Sequence, residues 1–95
     1  MSKSTIAIEV IPSPSPEKLK ELGVSGWDIW TKEVSTFPWQ YDMQEICYFL
    51  EGEVVVTPDG GEQVYMSKGD LVTFASGLSC TWEIKQDVKK HYSFS

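Results

Sequence analysis

The chain has 95 residues, 41% of them hydrophobic, with four each of Trp, Tyr and Phe. That supplies one core, so residues 1–95 are expected to form a single domain, and both a second domain and a disordered chain are excluded. Eight basic against fourteen acidic residues leave a net charge of −6, and the sequence holds no arginine; a nucleic-acid face and an arginine clamp on a phosphate are excluded on that balance.

No apolar run approaches the ~20 residues needed to span a bilayer. Met1-Ser2-Lys3-Ser4-Thr5 leads directly into the alternating segment Ile6–Ile11 rather than into an apolar signal core. Two cysteines, Cys47 and Cys80, are too few for a disulfide framework. The expectation is two free thiols in a cytoplasmic protein with no membrane partner.

After the first strand, Pro12-Ser13-Pro14-Ser15-Pro16 breaks the pattern. Ser15 reads as an N-cap, Pro16 as the first helical residue and Gly23 as the stop, which predicts one short helix with Leu19 and Leu22 on its apolar face. Short β-rich runs follow: Trp27–Val34, Phe37–Tyr41, Ile46–Leu50 ending at Glu51-Gly52, and Val54–Thr57. Pro58-Asp59-Gly60-Gly61 then reads as a hairpin turn. Val64–Met66, Leu71–Phe74, Cys80–Lys85 and Val88–Phe94 complete the set. Short, evenly spaced strands without strand–helix–strand alternation predict an all-β antiparallel sandwich or small barrel.

Ile46, Tyr48 and Leu50 alternate with Cys47 and Phe49, and Val54–Val56 is apolar throughout. Apolar residues on both faces call for a second covering layer, and a two-fold homodimer is the expected source. Trp27 and Trp30 fall on opposite faces of their extended segment, one toward the barrel and one toward that interface. Phe49, Phe74 and Phe94 read as core, and Lys85, Lys89 and Lys90 as a solvated cationic patch. Glu51, Glu53, Asp59 and Glu62 read as soluble turn flanks.

The segment Glu45-x-x-Tyr48-Phe49-Leu50-Glu51-Gly52 resembles the first motif of the cupin superfamily, in which a His-x-His pair precedes Glu and Gly. The two histidine positions fall on Trp39 and Tyr41. Gly69, Ala75-Ser76-Gly77 and Cys80 resemble the second motif, with Ala75 at its proline and Cys80 at its histidine. Trp39-x-Tyr41, Glu45-x-Cys47-Tyr48-x-Leu50-Glu51-Gly52, Gly69-Asp70-x-Val72-x-Phe74, Cys80-x-Trp82 and Lys90-His91-Tyr92 are similar to small single-domain cupins of the ureidoglycine aminohydrolase cupin-domain, ethanolamine-utilisation-like type. The resemblance implies a double-stranded β-helix, the jelly-roll barrel, which hosts many unrelated chemistries.

Such barrels hold a first-row metal with three imidazoles and a carboxylate, of which only Glu45 is kept here. Tryptophan cannot ligate, and tyrosine does so mainly as phenolate. The expectation is therefore no metal; if zinc, manganese or iron binds, its ligands would be Glu45, Cys80 and His91. Alternation places Trp39 and Tyr41 on one strand face, and Cys80 and Trp82 on one face of another.

The expected function is therefore binding of a small organic molecule in an aromatic-lined barrel, with Trp39, Tyr41, Glu45, Cys80 and Trp82 as contacts. The alternative is an enzyme, as the resemblance to ureidoglycine aminohydrolases implies, with Glu45 as acid or base and Tyr41 as proton donor. Desolvation among aromatics would raise the Glu45 pKa, against the reading of a buried carboxylate simply satisfied by a donor. Cys80 is either a nucleophile activated by His91, kept because the closing motif includes it, or an inert buried thiol; Cys47 reads as core.

Overall fold

The computed structural model describes residues 7–95. Ile6 and the leading residues on which the export expectation rests lie outside that range. Among the described residues, seven strands and one helix run in the order β1 (Ile8–Pro12), α1 (Pro16–Leu22), a 3₁₀ turn (Val24–Gly26), β2 (Asp28–Lys32), β3 (Ser35–Gln40), β4 (Glu45–Pro58), β5 (Val64–Ser67), β6 (Asp70–Phe74) and β7 (Ser79–Phe94).

The helix forms for the reasons its termini announce. Ser15 Oγ accepts the Lys18 N–H at 3.1 Å, Pro16 occupies the first helical position, and Gly23 closes the last turn in the left-handed region at φ 73°. Leu19 and Leu22 are only half-buried, and no residue of α1 is fully buried. The helix thus caps the fold without contributing to its centre.

Every strand pairing is antiparallel. The long strands β4 and β7 pair along most of their length, from Glu45↔Phe94 to Pro58↔Cys80. The first half of β4 also pairs with β6, and the last half of β7 with β2; β1 closes that side on β6. The second half of β4 pairs with β5, and the first half of β7 with β3. Two walls, β1-β6-β4-β7-β2 and β5-β4-β7-β3, thus share the same two bent strands, and together they make the jelly-roll barrel.

The bend is where the sequence pattern misleads. Glu51-Gly52 reads as a strand end and Gln86-Asp87 as a break, yet both lie inside continuous strands. Register shifts between Phe49 and Val54 mark the bulge. Gly52 sits there at φ 109°, and a Cβ would lie 2.7 Å from Asp87 O and 2.8 Å from Val88 Cα. Only glycine allows the two strands to bend against each other at that distance.

Inside the barrel, Cys47, Phe49, Val54, Val56, Val72 and Phe74 are fully buried. Along β4 the inward set Glu45, Cys47 and Phe49 alternates with half-buried Ile46, Tyr48 and Leu50 on the outer face. Both cysteines are free thiols. Three expectations need correction. Phe94 is exposed, because β7 reaches the barrel rim at its end. Trp27 lies before β2, closing the 3₁₀ turn, so the opposite-face argument does not apply to it. Lys90 is not on a solvated face; it is buried.

Candidate functional site

Chain alternation decides which side chains of β7 enter the barrel. Cys80, Trp82, Ile84, Val88 and Lys90 are buried on one face, while Lys85 and His91 fall on the other. Lys90 thus enters the barrel opposite Phe49 of β4 and Trp30 of β2. There its Nζ donates to Glu45 Oε2 at 2.7 Å, with both side chains about 95% removed from solvent. Four rings surround the ammonium, with centroids at 4.6 Å (Trp82), 5.0 Å (Trp30), 5.9 Å (Phe74) and 6.0 Å (Phe49). Two ions in an apolar interior are tolerable only because each neutralises the other, and the ring faces add attraction to the cation.

The pair forms part of the lining of a cavity of about 230 Å³. Trp30, Phe37, Tyr41 and Trp82 supply its walls, while Trp39 and Phe94 line it from exposed positions near half accessibility. The rings pack on one another: Tyr41 stacks on Phe74 at 5.0 Å, Phe37 stacks on Trp82 at 6.1 Å, and Trp30 meets Trp82 edge-on at 5.9 Å. Such mutual contacts hold the walls in place before anything binds. Trp82 Nε1 is a buried donor without a hydrogen-bond partner among the described residues.

Tyr41 stays a neutral phenol, its pKa driven well above the ordinary value by burial first and then by the negative charge of Glu45. Cavity chemistry therefore has an acceptor carboxylate, a cationic donor and a neutral hydroxyl on one surface.

Of the residues singled out from sequence, Trp39, Tyr41, Glu45 and Trp82 line this cavity, and Cys80 and His91 do not. Cys80 packs in the core beside Trp82, with its thiol 3.6 Å from the Trp39 carbonyl. Burial, with a smaller contribution from Asp59, pushes that thiol up to about 11, opposite to the shift an activated nucleophile needs. Cys47 is pushed up to about 12, chiefly by burial. His91 turns outward, and its Nδ1 lies 3.0 Å from the Trp27 carbonyl, which can only accept. Activation of Cys80 by His91 is thereby corrected: the two side chains occupy opposite faces of β7.

The cupin metal does not fit these residues. Glu45 already compensates an ammonium, the Cys80 thiol is held protonated, and Trp39 has no donor for a metal. Among the described residues, no group of three or more His, Cys, Asp and Glu side chains could hold an ion.

Lys90 is the residue that sequence reading missed. In sequence it stands among charged neighbours, although Val88, Lys90, Tyr92 and Phe94 share one alternating face. A lysine in register with the aromatic residues of its strand, together with the motif carboxylate Glu45, is the available signal.

A family model described as the EutQ-like cupin domain matches residues 19–92. Among solved structures, a DUF861-family protein from Thermotoga maritima is 51% identical, with a TM-score of 0.90 over 93% of this chain and 99% of its own. A putative ethanolamine utilization protein Q from Salmonella typhimurium is 27% identical, with a TM-score of 0.63 over 70% of this chain and 53% of its own. The Clostridium difficile EutQ protein is 23% identical, with a TM-score of 0.63 over 70% of this chain and 52% of its own. This chain thus spans about half the length of the two EutQ proteins. No curated protein matches it significantly.

Proposed function

This chain belongs to the EutQ-like cupin family, and we propose that its barrel binds a small organic molecule without a resident metal, using the Lys90–Glu45 pair as polar anchor. One observation carries the reading: a buried ion pair lines an aromatic-walled cavity instead of being sealed in packed core. A pair kept for stability alone is poorly rewarded, because apolar residues of similar volume often do as well. An apolar pocket with a few convergent polar groups is the usual form of a small-molecule site. The occupant is a flat molecule with a polar edge: its face meets Trp30, Tyr41 and Trp82, and its edge meets Glu45 and Lys90.

Three tryptophans in the cavity lining make binding directly readable. Titration of the chain with planar aromatic alcohols, amides and carbonyl compounds is expected to quench tryptophan emission saturably and raise Tm. Trp39→Ala is expected to weaken binding about tenfold, the scale of one aromatic contact. Lack of saturable quenching by any of them, with Tm unchanged, would sink the reading.

An enzymatic reading is favoured by a separate observation: Tyr41 and Glu45, a phenol and a carboxylate, line the same cavity. In it Glu45 is the acid or base, as the sequence led us to expect, and Lys90 replaces Cys80 and His91 as its auxiliary. Ammonia release from ureidoglycine tests the specific form of this reading. We also infer a homodimer, supported by the half-buried outer residues Ile46, Tyr48 and Leu50 and by exposed Ile29. Sedimentation as a monomer at micromolar concentration would contradict it. Among the described residues, no helix is long and apolar enough to cross a membrane. A cytoplasmic setting, where both free thiols would persist, is part of the same proposal.

A further inference from the structure

We infer that Lys90 captures small aldehydes or ketones covalently, as an iminium ion formed inside the cavity with Glu45 as the proton carrier. The inference rests on the small-molecule reading above and names the chemical class of the ligand. Imine formation needs an amine that a carbonyl carbon can reach, a base to free its lone pair, an acid to expel water, and an environment in which the resulting cation is stable. Each of these has a named group here.

Lys90 is a lining residue of the cavity, and the inference places the carbonyl carbon of a bound compound against its Nζ. Glu45 Oε2, 2.7 Å away, accepts one ammonium proton. The freed nitrogen pair forms the C–N bond while the carbonyl π pair moves to oxygen. Glu45 returns its proton to that oxygen and removes a second proton from nitrogen, leaving a neutral carbinolamine. Glu45 then protonates the hydroxyl, the C–O bond breaks, and the nitrogen pair closes the C=N bond. One water leaves, the nitrogen keeps one proton, and neither an oxidant nor a reductant takes part. Tyr41 is another lining residue, and in this scheme its hydroxyl donates to the oxygen while it carries negative charge.

The charge balance of the cavity favours the product. Before and after reaction there is one cation on Lys90 and one anion on Glu45, so no new charge has to be buried. What changes is the character of the cation. An ammonium is compact and strongly hydrated, whereas an iminium spreads its charge over carbon and binds water weakly. Trp82, Trp30, Phe74 and Phe49 surround Nζ at 4.6–6.0 Å. Such rings reward a soft cation and supply no replacement for lost hydration, so the cage suits the iminium better than the ammonium it holds at rest. The apolar walls also limit the water that would reverse the reaction.

Benzaldehyde with sodium cyanoborohydride is the probe, read by intact mass and peptide mapping, with benzyl alcohol as its non-carbonyl analogue. Lys90 is expected to become benzylated at least about tenfold faster than any other lysine, because the cavity orients the aldehyde beside Nζ. Lys90→Arg is expected to abolish the fast phase, and Glu45→Gln to slow it about tenfold, the low end of what a positioned acid–base contributes. If Glu45→Gln does not fold, Tyr41→Phe serves as the second variant, with slower capture expected. Adducts distributed over surface lysines with no preference for Lys90 would overturn the inference. Saturable quenching by benzyl alcohol without Lys90 capture of benzaldehyde would overturn it while leaving the binding reading intact. Neither quenching nor capture would remove both.

Discussion

Two lysine–glutamate pairs, whose lysines lie on the same strand, have nearly the same length and opposite meanings. Lys85 and Glu83 meet at 2.8 Å with both side chains close to half exposed. Lys90 and Glu45 meet at 2.7 Å with almost none of either exposed. Water and salt screen the first pair, which also has other arrangements open to it. The second has no solvent to fall back on, so removing one partner leaves an uncompensated charge in a box of aromatic rings. Distance alone therefore says little about an ion pair; the parity of its position on the strand says more.

The comparison breaks most visibly if the buried pair is cut on one side. Lys90→Met is expected to cost about 3–5 kcal/mol of unfolding free energy in urea, because Glu45 is left buried and unpaired. Lys90→Met combined with Glu45→Gln is expected to recover a large part of that loss, a coupling that a double-mutant cycle measures. Equal losses for the single and double variants would show that the pair contributes packing rather than charge compensation.

An intermediate effect separates the barrel interior from its surface by pH. In the folded state Cys47 is raised to about 12 and Cys80 to about 11, both from 9.0, and Tyr41 is raised as well. The unfolded chain releases these protons first, so above pH 9 it binds fewer protons than the folded chain. The contribution of these groups is then expected to be level below about pH 8 and to fall, approaching about 1.4 kcal/mol per unit for each thiol, between pH 9 and its folded value, with Tyr41 adding to the slope only above pH 10. Cys47→Ala is expected to make that slope shallower in urea melts taken between pH 8 and 11. An unchanged slope would mean that Cys47 does not contribute.

The smallest effect belongs to the exposed pair. The Glu83 carboxylate raises the Lys85 pKa by hydrogen bond and then by charge. Glu83→Gln is nonetheless expected to leave the urea midpoint within experimental error at physiological salt. A clear loss of stability there, shrinking at high salt, would erase the contrast between the two pairs.

Much of the fold was legible because its causes are local. Ser15, Pro16 and Gly23 carry the whole definition of α1, and Pro58-Asp59-Gly60-Gly61 turns where it was expected, with Gly61 N–H donating to the Pro58 carbonyl at 2.9 Å. The continuity of β4 and β7 was not legible, because glycine at a bulge and glycine at a turn look alike in one dimension. Gly52 shows which it is only through its approach to Asp87 and Val88, more than thirty positions later in the chain. The cavity was half legible. Trp39, Tyr41, Glu45 and Trp82 could be placed by motif and alternation, whereas Lys90 was masked by Lys85, Lys89 and His91 around it.

By itself, the sequence determined an all-β fold, its short capped helix, most of its strand positions and a carboxylate among aromatics, since each depends on spacing and residue type within a few positions. Tertiary structure alone decided which cation that carboxylate meets. Glu45 and Lys90 stand 45 residues apart, and their meeting follows from the pairing register of β4 with β7 across a glycine bulge. That register turns Lys90 into the barrel and His91 out of it, and so removes the thiol–imidazole alternative and gives Glu45 an ammonium partner.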